Sequence, residues 1–186
     1  MIGSLLAERY AKAFFKLALE QDLEERVSAD MQGVASLIRE SRELRIFLHA
    51  PVINPGKKEK ILKEILGKTV HPLTLSFILL LVRKRREAHI PDITFEYLEL
   101  YNEYHHIVRV LLRSPVAVTE EIRREVSGVM KKFTDAEIVL EEKIEPDLIG
   151  GFVLNWKDNQ YDASIRKQLS RLNRAVARIN LYKKGI

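Results

Sequence analysis

Apolar residues recur at helical spacing along this chain up to about residue 106 and gather into short β-branched runs after it, so no single regular architecture accommodates both halves. That change of period predicts an α plus α/β chain of two domains, residues 1–106 and 107–186. In the first part, Leu6, Tyr10, Ala13, Phe14 and Leu17 share one helical face, and Asp22-Leu23-Glu24 opens a second helix carrying Val27, Met31, Val34 and Ile38. Ser41 restarts a short helix, and Pro51 with Asn54-Pro55-Gly56 breaks the chain before the amphipathic set Ile61, Leu62, Ile65 and Leu66. A strongly apolar helix runs through Leu73 and Leu75 to Val82, and Pro91 sits near the start of one bearing Ile93, Tyr97, Leu100, Tyr101 and Tyr104. The expectation is a six-helix bundle.

After residue 106, Ile107 to Leu112 reads as a strand that Pro115 ends, and Thr119-Glu120-Glu121 starts a helix through Ile122, Val126, Val129, Met130 and Phe133. Ile138-Val139-Leu140 is a second strand. The densest segment is Ile144 to Leu172, where Phe152, Val153, Leu154 and Trp156 form a β-prone run and Lys157-Asp158-Asn159 a turn. Behind them Ile165, Leu169, Leu172, Val176 and Ile179 follow at alternating intervals of four and three, predicting a last helix. Asp162 or Ser164 caps it, since either side chain can accept from the free N–H groups of the first turn. Gly150 and Gly151 read as backbone devices: paired glycines permit positive φ or close packing where a chain enters a strand. A phosphate loop would need further glycines or a Gly-Lys-Ser/Thr ending, and neither is present. The expected second domain is a small β-sheet with packed helices.

Composition removes several classes of function. With 186 residues and 46% hydrophobic content the chain can bury a core, and without cysteine it has no disulfide framework, thiolate metal site or cysteine nucleophile. The first residues lack the basic region, long apolar core and small-residue cleavage site of a secretory signal, and the apolar run ending at Val82 is too short to cross a bilayer. These features fit an intracellular address. His49, His71, His89, His105 and His106 include no pair three or four apart, so no helical face aims two of them at one metal. No serine sits in a nucleophile-elbow pattern, and carboxylates are scattered over polar faces. An enzyme, a metal and a cofactor are not expected.

The formal charge of +5 raises nucleic acid as a partner, and Arg83-Lys84-Arg85-Arg86 is the only dense cationic run. It follows an apolar helix directly, where cations suit the helix dipole and the terminal carbonyls. No aromatic side chains interleave with it, as a base-stacking surface would require. A basic helical nucleic-acid-binding protein is therefore the alternative reading.

Three patches of sequence resemble the delta subunit family of F-type ATP synthases, whose mitochondrial counterpart is the oligomycin-sensitivity-conferring protein. Arg9-Tyr10-Ala11-Lys12-Ala13-Phe14 is similar to the family's opening pattern, and Phe47-Leu48 with Pro51 and Lys57 resembles its middle pattern. Leu148-Ile149-Gly150-Gly151-Phe152, then Tyr161-Asp162-Ala163-Ser164 with Gln168-Leu169, is similar to its C-terminal signature. The resemblance implies a non-catalytic stator subunit that resists rotary torque during proton- or sodium-driven ATP synthesis, as a peripheral protein on the cytoplasmic face of the bacterial inner membrane. It implies a helical domain that binds N-terminal helical segments of the alpha subunits, and a C-terminal domain that contacts the peripheral-stalk b subunits. It implies no nucleic-acid partner, no direct membrane insertion and no homo-oligomer. It places the groove between the first and fifth helices, at Tyr10, Ala13, Leu80 and Lys84; a place in the bundle's own core is the competing assignment for the same residues. For the last helix, Arg166, Lys167, Arg171, Arg174 and Arg178 read either as a surface for an acidic stalk helix or as a solvated cationic face. Gly150, Gly151, Asp162 and Ser164 are assigned to folding.

Overall fold

The computed structural model describes residues 5–131, 133–157 and 159–171. It divides into two compact units, Met1–His105 and His106–Ile186. The first is all-helical and the second mixes helix with sheet.

The first unit contains α1 (Leu5–Glu20), α2 (Glu24–Glu40), α3 (Arg42–His49), α4 (Pro55–Leu66), α5 (Pro72–Arg83), a 3-10 turn at Glu87–His89, and α6 (Ile90–Tyr104). Its boundaries follow local chemistry. The Ser41 hydroxyl accepts from the Leu44 N–H at 3.1 Å, and Asn54 accepts from the Gly56 N–H at 2.9 Å ahead of Pro55. The start of α5 is held from another helix: the buried Asp30 carboxylate accepts from the His71 N–H at 2.6 Å and the Thr74 hydroxyl at 2.8 Å. Two helices end in the same left-handed turn. After α5, Arg85 takes φ +56°, its N–H bonds to the Val82 carbonyl, and the Arg86 N–H reaches back to Leu81. After α1, Asp22 does the same at φ +53°.

Helix α6 packs against both α1 and α2, and α4 packs against α5. The core they enclose is centred on fully buried Tyr97, with Phe14 at 5.5 Å and Phe15 at 5.5 Å between ring centres. Each such side chain contributes about 1.5–3 kcal/mol through burial. Helical spacing identified Phe14, Val27, Met31, Val34, Ile38, Leu62 and Leu66 correctly as inward-facing, whereas Ala13 and Leu17 of the α1 set and Ile65 of the α4 set are exposed, α1 burying Ala7, Ala11, Phe15 and Ala18 instead.

The second unit is a four-stranded sheet in the order β2-β1-β3-β4. It is built from β1 (Ile107–Ser114), α7 (Glu120–Met130), β2 (Glu137–Ile144), a 3-10 turn at Pro146–Leu148, β3 (Val153–Trp156), β4 (Asn159–Asp162) and helical residues 165–171. Strands β1 and β2 are parallel, as the intervening helix allows, and β1-β3 and β3-β4 are antiparallel. Val110, Leu112 and Leu154 on one sheet face pack with Val126 and Met130 of α7.

Three boundaries differ from the sequence expectation. Strand β2 runs to Ile144 because it pairs with β1 along its whole length, and its polar half, Glu141-Glu142-Lys143, carries no apolar signal. Strand β3 begins at Val153, with Phe152 buried just before it. Helix α7 stops at Met130, whose carbonyl accepts from the N–H groups of both Phe133 and Thr134, so Phe133 leaves the helix and lies 56% exposed. Of the expected turn, Lys157 takes φ +48°, suited to a short hairpin loop, and Asp158 lies outside the described residues. Leu172, Arg174, Val176, Arg178 and Ile179 of the expected last helix also lie outside them.

Candidate functional site

Helices α1 and α5 meet through two stacked rings, Phe14 and Phe77, with centres 3.9 Å apart and planes 1° from parallel. Both rings are buried, at 2% and 9% exposure. On each helix one side of the ring is buried, by Ala11, Phe15 and Ala18 on α1 and by Thr74, Ile78 and Leu81 on α5, and the other side is less covered. On α1, Tyr10, Ala13 and Leu17 stand at four before, one before and three after Phe14: Tyr10 is half-buried, Ala13 exposed and Leu17 38% exposed. On α5 and at its C-terminal cap, Leu73, Leu80 and Lys84 stand at four before, three and seven after Phe77: Leu73 is half-buried, Leu80 is 42% exposed and Lys84 exposed. On each helix these positions share a face beside the stacked ring, because positions three and four apart on a helix are neighbours. The four residues singled out in the sequence fall on these faces. Sequence reasoning missed Phe77 and Leu73; the spacing around Leu80 would have found them, had the uniform apolarity of α5 not erased its periodicity.

Charge lies at the margins of these faces. Arg83 donates from Nε and Nη2 to the two Glu59 oxygens, each at 3.1 Å. The arginine holds the Glu59 carboxyl below the ordinary carboxylate range. On α1, Lys12 pairs with Glu8 at 2.6 Å. The arrangement can bind; it offers no nucleophile, no base beside one and no oxyanion donor. Among the described residues, no three His, Asp or Glu side chains gather as a metal site, and no helix is long and apolar enough to cross a membrane.

In the second unit the paired glycines answer to space. A Cβ on Gly151, which sits at φ +74°, would collide with the Ala163 carbonyl oxygen, and one on Gly150 would run into the Ile165 side chain. The chain ahead of them is tightly turned: the Gly150 N–H donates to the Leu148 carbonyl at 2.7 Å across Ile149, which takes φ +65°. Of the two candidate caps, the Ser164 hydroxyl accepts from the Lys167 N–H at 3.2 Å, while Asp162 accepts from the Ser164 N–H at 3.0 Å and orients it. Burial alone would raise the Asp162 carboxyl; the hydrogen bonds from Ser164, with Lys167 nearby, outweigh it and hold the carboxyl below its usual range. Arg166 and Arg171 are exposed, and Lys167 lies 3.8 Å from Asp162.

A solved chain from the Toxoplasma gondii mitochondrial ATP synthase hexamer shares the fold at a TM-score of 0.73, with 19% identity over 94% of this chain and 98% of that one. The delta subunit of the Symbiobacterium thermophilum ATP synthase is 34% identical over 93% of both chains, and that of Gloeothece citriformis 36% identical over 90% of this chain and 92% of its own. The family model for the ATP synthase delta (OSCP) subunit matches residues 6–176. On that match and these relatives, the chain belongs to the ATP synthase delta (OSCP) subunit family.

Proposed function

We propose that this stator component of the F-type ATP synthase works as a two-ended clamp. Its first unit, a six-helix bundle of α1–α6, takes N-terminal helical segments of the alpha subunits into the α1/α5 groove, and its second unit holds the peripheral-stalk b subunits. The subunit is structural and performs no chemistry; its task is to stay bound while the central stalk turns. The observation that carries the reading is the pair of half-exposed apolar rows, Tyr10, Ala13, Leu17 and Leu73, Leu80, beside the Phe14–Phe77 stack. An amphipathic helix presenting anchors at every third or fourth residue fits such a pair of rows, and several buried anchors give slow dissociation. Attachment through a second unit adds effective concentration. The proposed location is the cytoplasmic face of the bacterial inner membrane, within the membrane-associated complex, with one copy acting as a monomer.

The test is joint occupancy. Full-length protein, the catalytic head and a soluble stalk segment from the same organism should co-elute as one complex in size-exclusion chromatography. A chain that binds the head and the stalk segment only in competition with each other would refute the clamp.

A further inference from the structure

The second unit carries an aromatic surface at the edge of its core, against which Trp156 packs. Phe133, released from the end of α7, lies 5.3 Å from Trp156 and 6.3 Å from Tyr161 between ring centres. Phe133 is 56% exposed and Tyr161 37%. With the amide side chains of Asn159 and Gln160, the three rings line an open cleft of about 230 Å³. Among the described residues no charged side chain lines it; in the chain, exposed Lys131 stands two residues before Phe133 and exposed Lys157 directly after Trp156, with Asp135 and Asp158 the nearest acidic residues.

Exposed Trp, Tyr and Phe around a concave surface, with amides able to donate and accept, have the composition of a protein hot spot. The flanking cations select against a basic occupant and favour an acidic one. We propose that this cleft is the stalk-facing anchor of the second unit, and that its occupant is an acidic, amphipathic protein segment which inserts one aliphatic or aromatic side chain between the rings and sets carboxylates beside Lys131 and Lys157. The proposal rests on the reading that the second unit holds the stalk, and it moves the contact from the cationic residues of the last helix to the β3-β4 hairpin and the end of α7.

Trp156 is the chain's one tryptophan, so its emission reports occupancy of the cleft directly. Full-length protein is titrated with the soluble C-terminal segment of the same organism's stalk b subunit, with Trp156 emission and calorimetry read together. The expected result is a shift of Trp156 emission on saturation, a rise in Kd of at least about tenfold for Phe133→Asp, and a smaller rise for Lys131→Glu/Lys157→Glu that shrinks with added salt. Both variants alter exposed side chains, and unchanged far-UV circular dichroism and melting verify their folding. Binding of the stalk segment with unchanged Kd in both variants and unmoved Trp156 emission overturns the proposal and leaves the two-ended clamp standing. No binding of the stalk segment by folded wild-type protein overturns the clamp itself. Quenching of Trp156 by a single-stranded oligonucleotide with steep salt dependence, in place of the stalk segment, overturns a protein occupant.

Discussion

Replacing Lys58 with methionine should destabilise the helical unit by about 4 kcal/mol, although the side chains have similar length. Lys58 is buried, its side chain 1% exposed, and its Nζ donates to Glu87 Oε1 at 2.7 Å and to the Leu48 carbonyl at 3.1 Å. It therefore ties α4 both to the end of α3 and to the 3-10 turn that leads into α6. The Glu87 side chain is 11% exposed, and its other oxygen, Oε2, already has no partner. Lys58→Met leaves that carboxylate buried without its cation, a loss of about 3–5 kcal/mol, and strips the Leu48 carbonyl of a donor. Lys58→Met/Glu87→Leu removes both charges and should recover most of the loss, because burying the pair itself gives little net stabilisation. Urea unfolding followed at 222 nm reads mainly the helical unit; at a slope of about 1–2 kcal/mol/M the single variant should shift the midpoint by roughly 2–4 M. A single variant that does not fold beside a double variant that does also meets this expectation. A Lys58→Met chain within about 1 kcal/mol of wild type, or a double variant as unstable as the single, would refute the role given to this ion pair.

Arg85→Gly should stabilise the first unit by about 1 kcal/mol, since the left-handed turn after α5 disfavours any residue with a Cβ; thermal melting checks it, and a lowered melting temperature would show that the Arg85 side chain contributes more than its backbone costs. Tyr97→Phe should gain about 1 kcal/mol, because the fully buried hydroxyl has no partner. Burial raises the Tyr97 phenol well above its ordinary range, with Glu24 and Tyr101 adding to it. The folded protein thus keeps the proton that the unfolded chain releases, and stability falls as pH rises above about 10 in wild type and less steeply in the Phe variant. For Asp162 the sign is opposite. Its folded-state carboxyl ionises at lower pH than the unfolded one, so its contribution is present above about pH 4 and is lost as pH falls through the folded value. Asp162→Asn should flatten the acid limb of second-unit stability, read through Trp156 emission during unfolding, and an unchanged limb would contradict the assignment.

Most of the helical unit was legible because its helices are amphipathic and their breaks are written in Ser41, Asn54-Pro55 and Pro72. Where periodicity vanished, legibility vanished with it. Leu73 to Val82 is apolar nearly all round, so the sequence could not separate buried Phe77 from half-exposed Leu80. The second half of β2 is polar and was invisible until β1 supplied a partner along its whole length. The Lys58–Glu87 tie joins positions twenty-nine apart with no local signal at either. The end of α7 failed for another reason: Phe133 continues the helical spacing, but it turns instead toward Trp156 and Tyr161 across the sheet. By contrast, local chemistry narrowed the cap to Asp162 or Ser164 and marked Gly151 as a backbone device, because capping and close approach are properties of a few adjacent residues; the structure then chose Ser164.

The most direct test of the clamp is a calorimetric titration of the full-length protein with a synthetic peptide of the alpha subunit's N-terminal segment from the same organism. The proposed groove between α1 and α5 predicts saturable binding in the micromolar range that changes little with salt, and its loss in Tyr10→Asp with far-UV circular dichroism unchanged. Absence of saturable binding by protein verified as folded would contradict it, and so would a Tyr10→Asp chain that unfolds, since Tyr10 would then belong to the core and not to the groove.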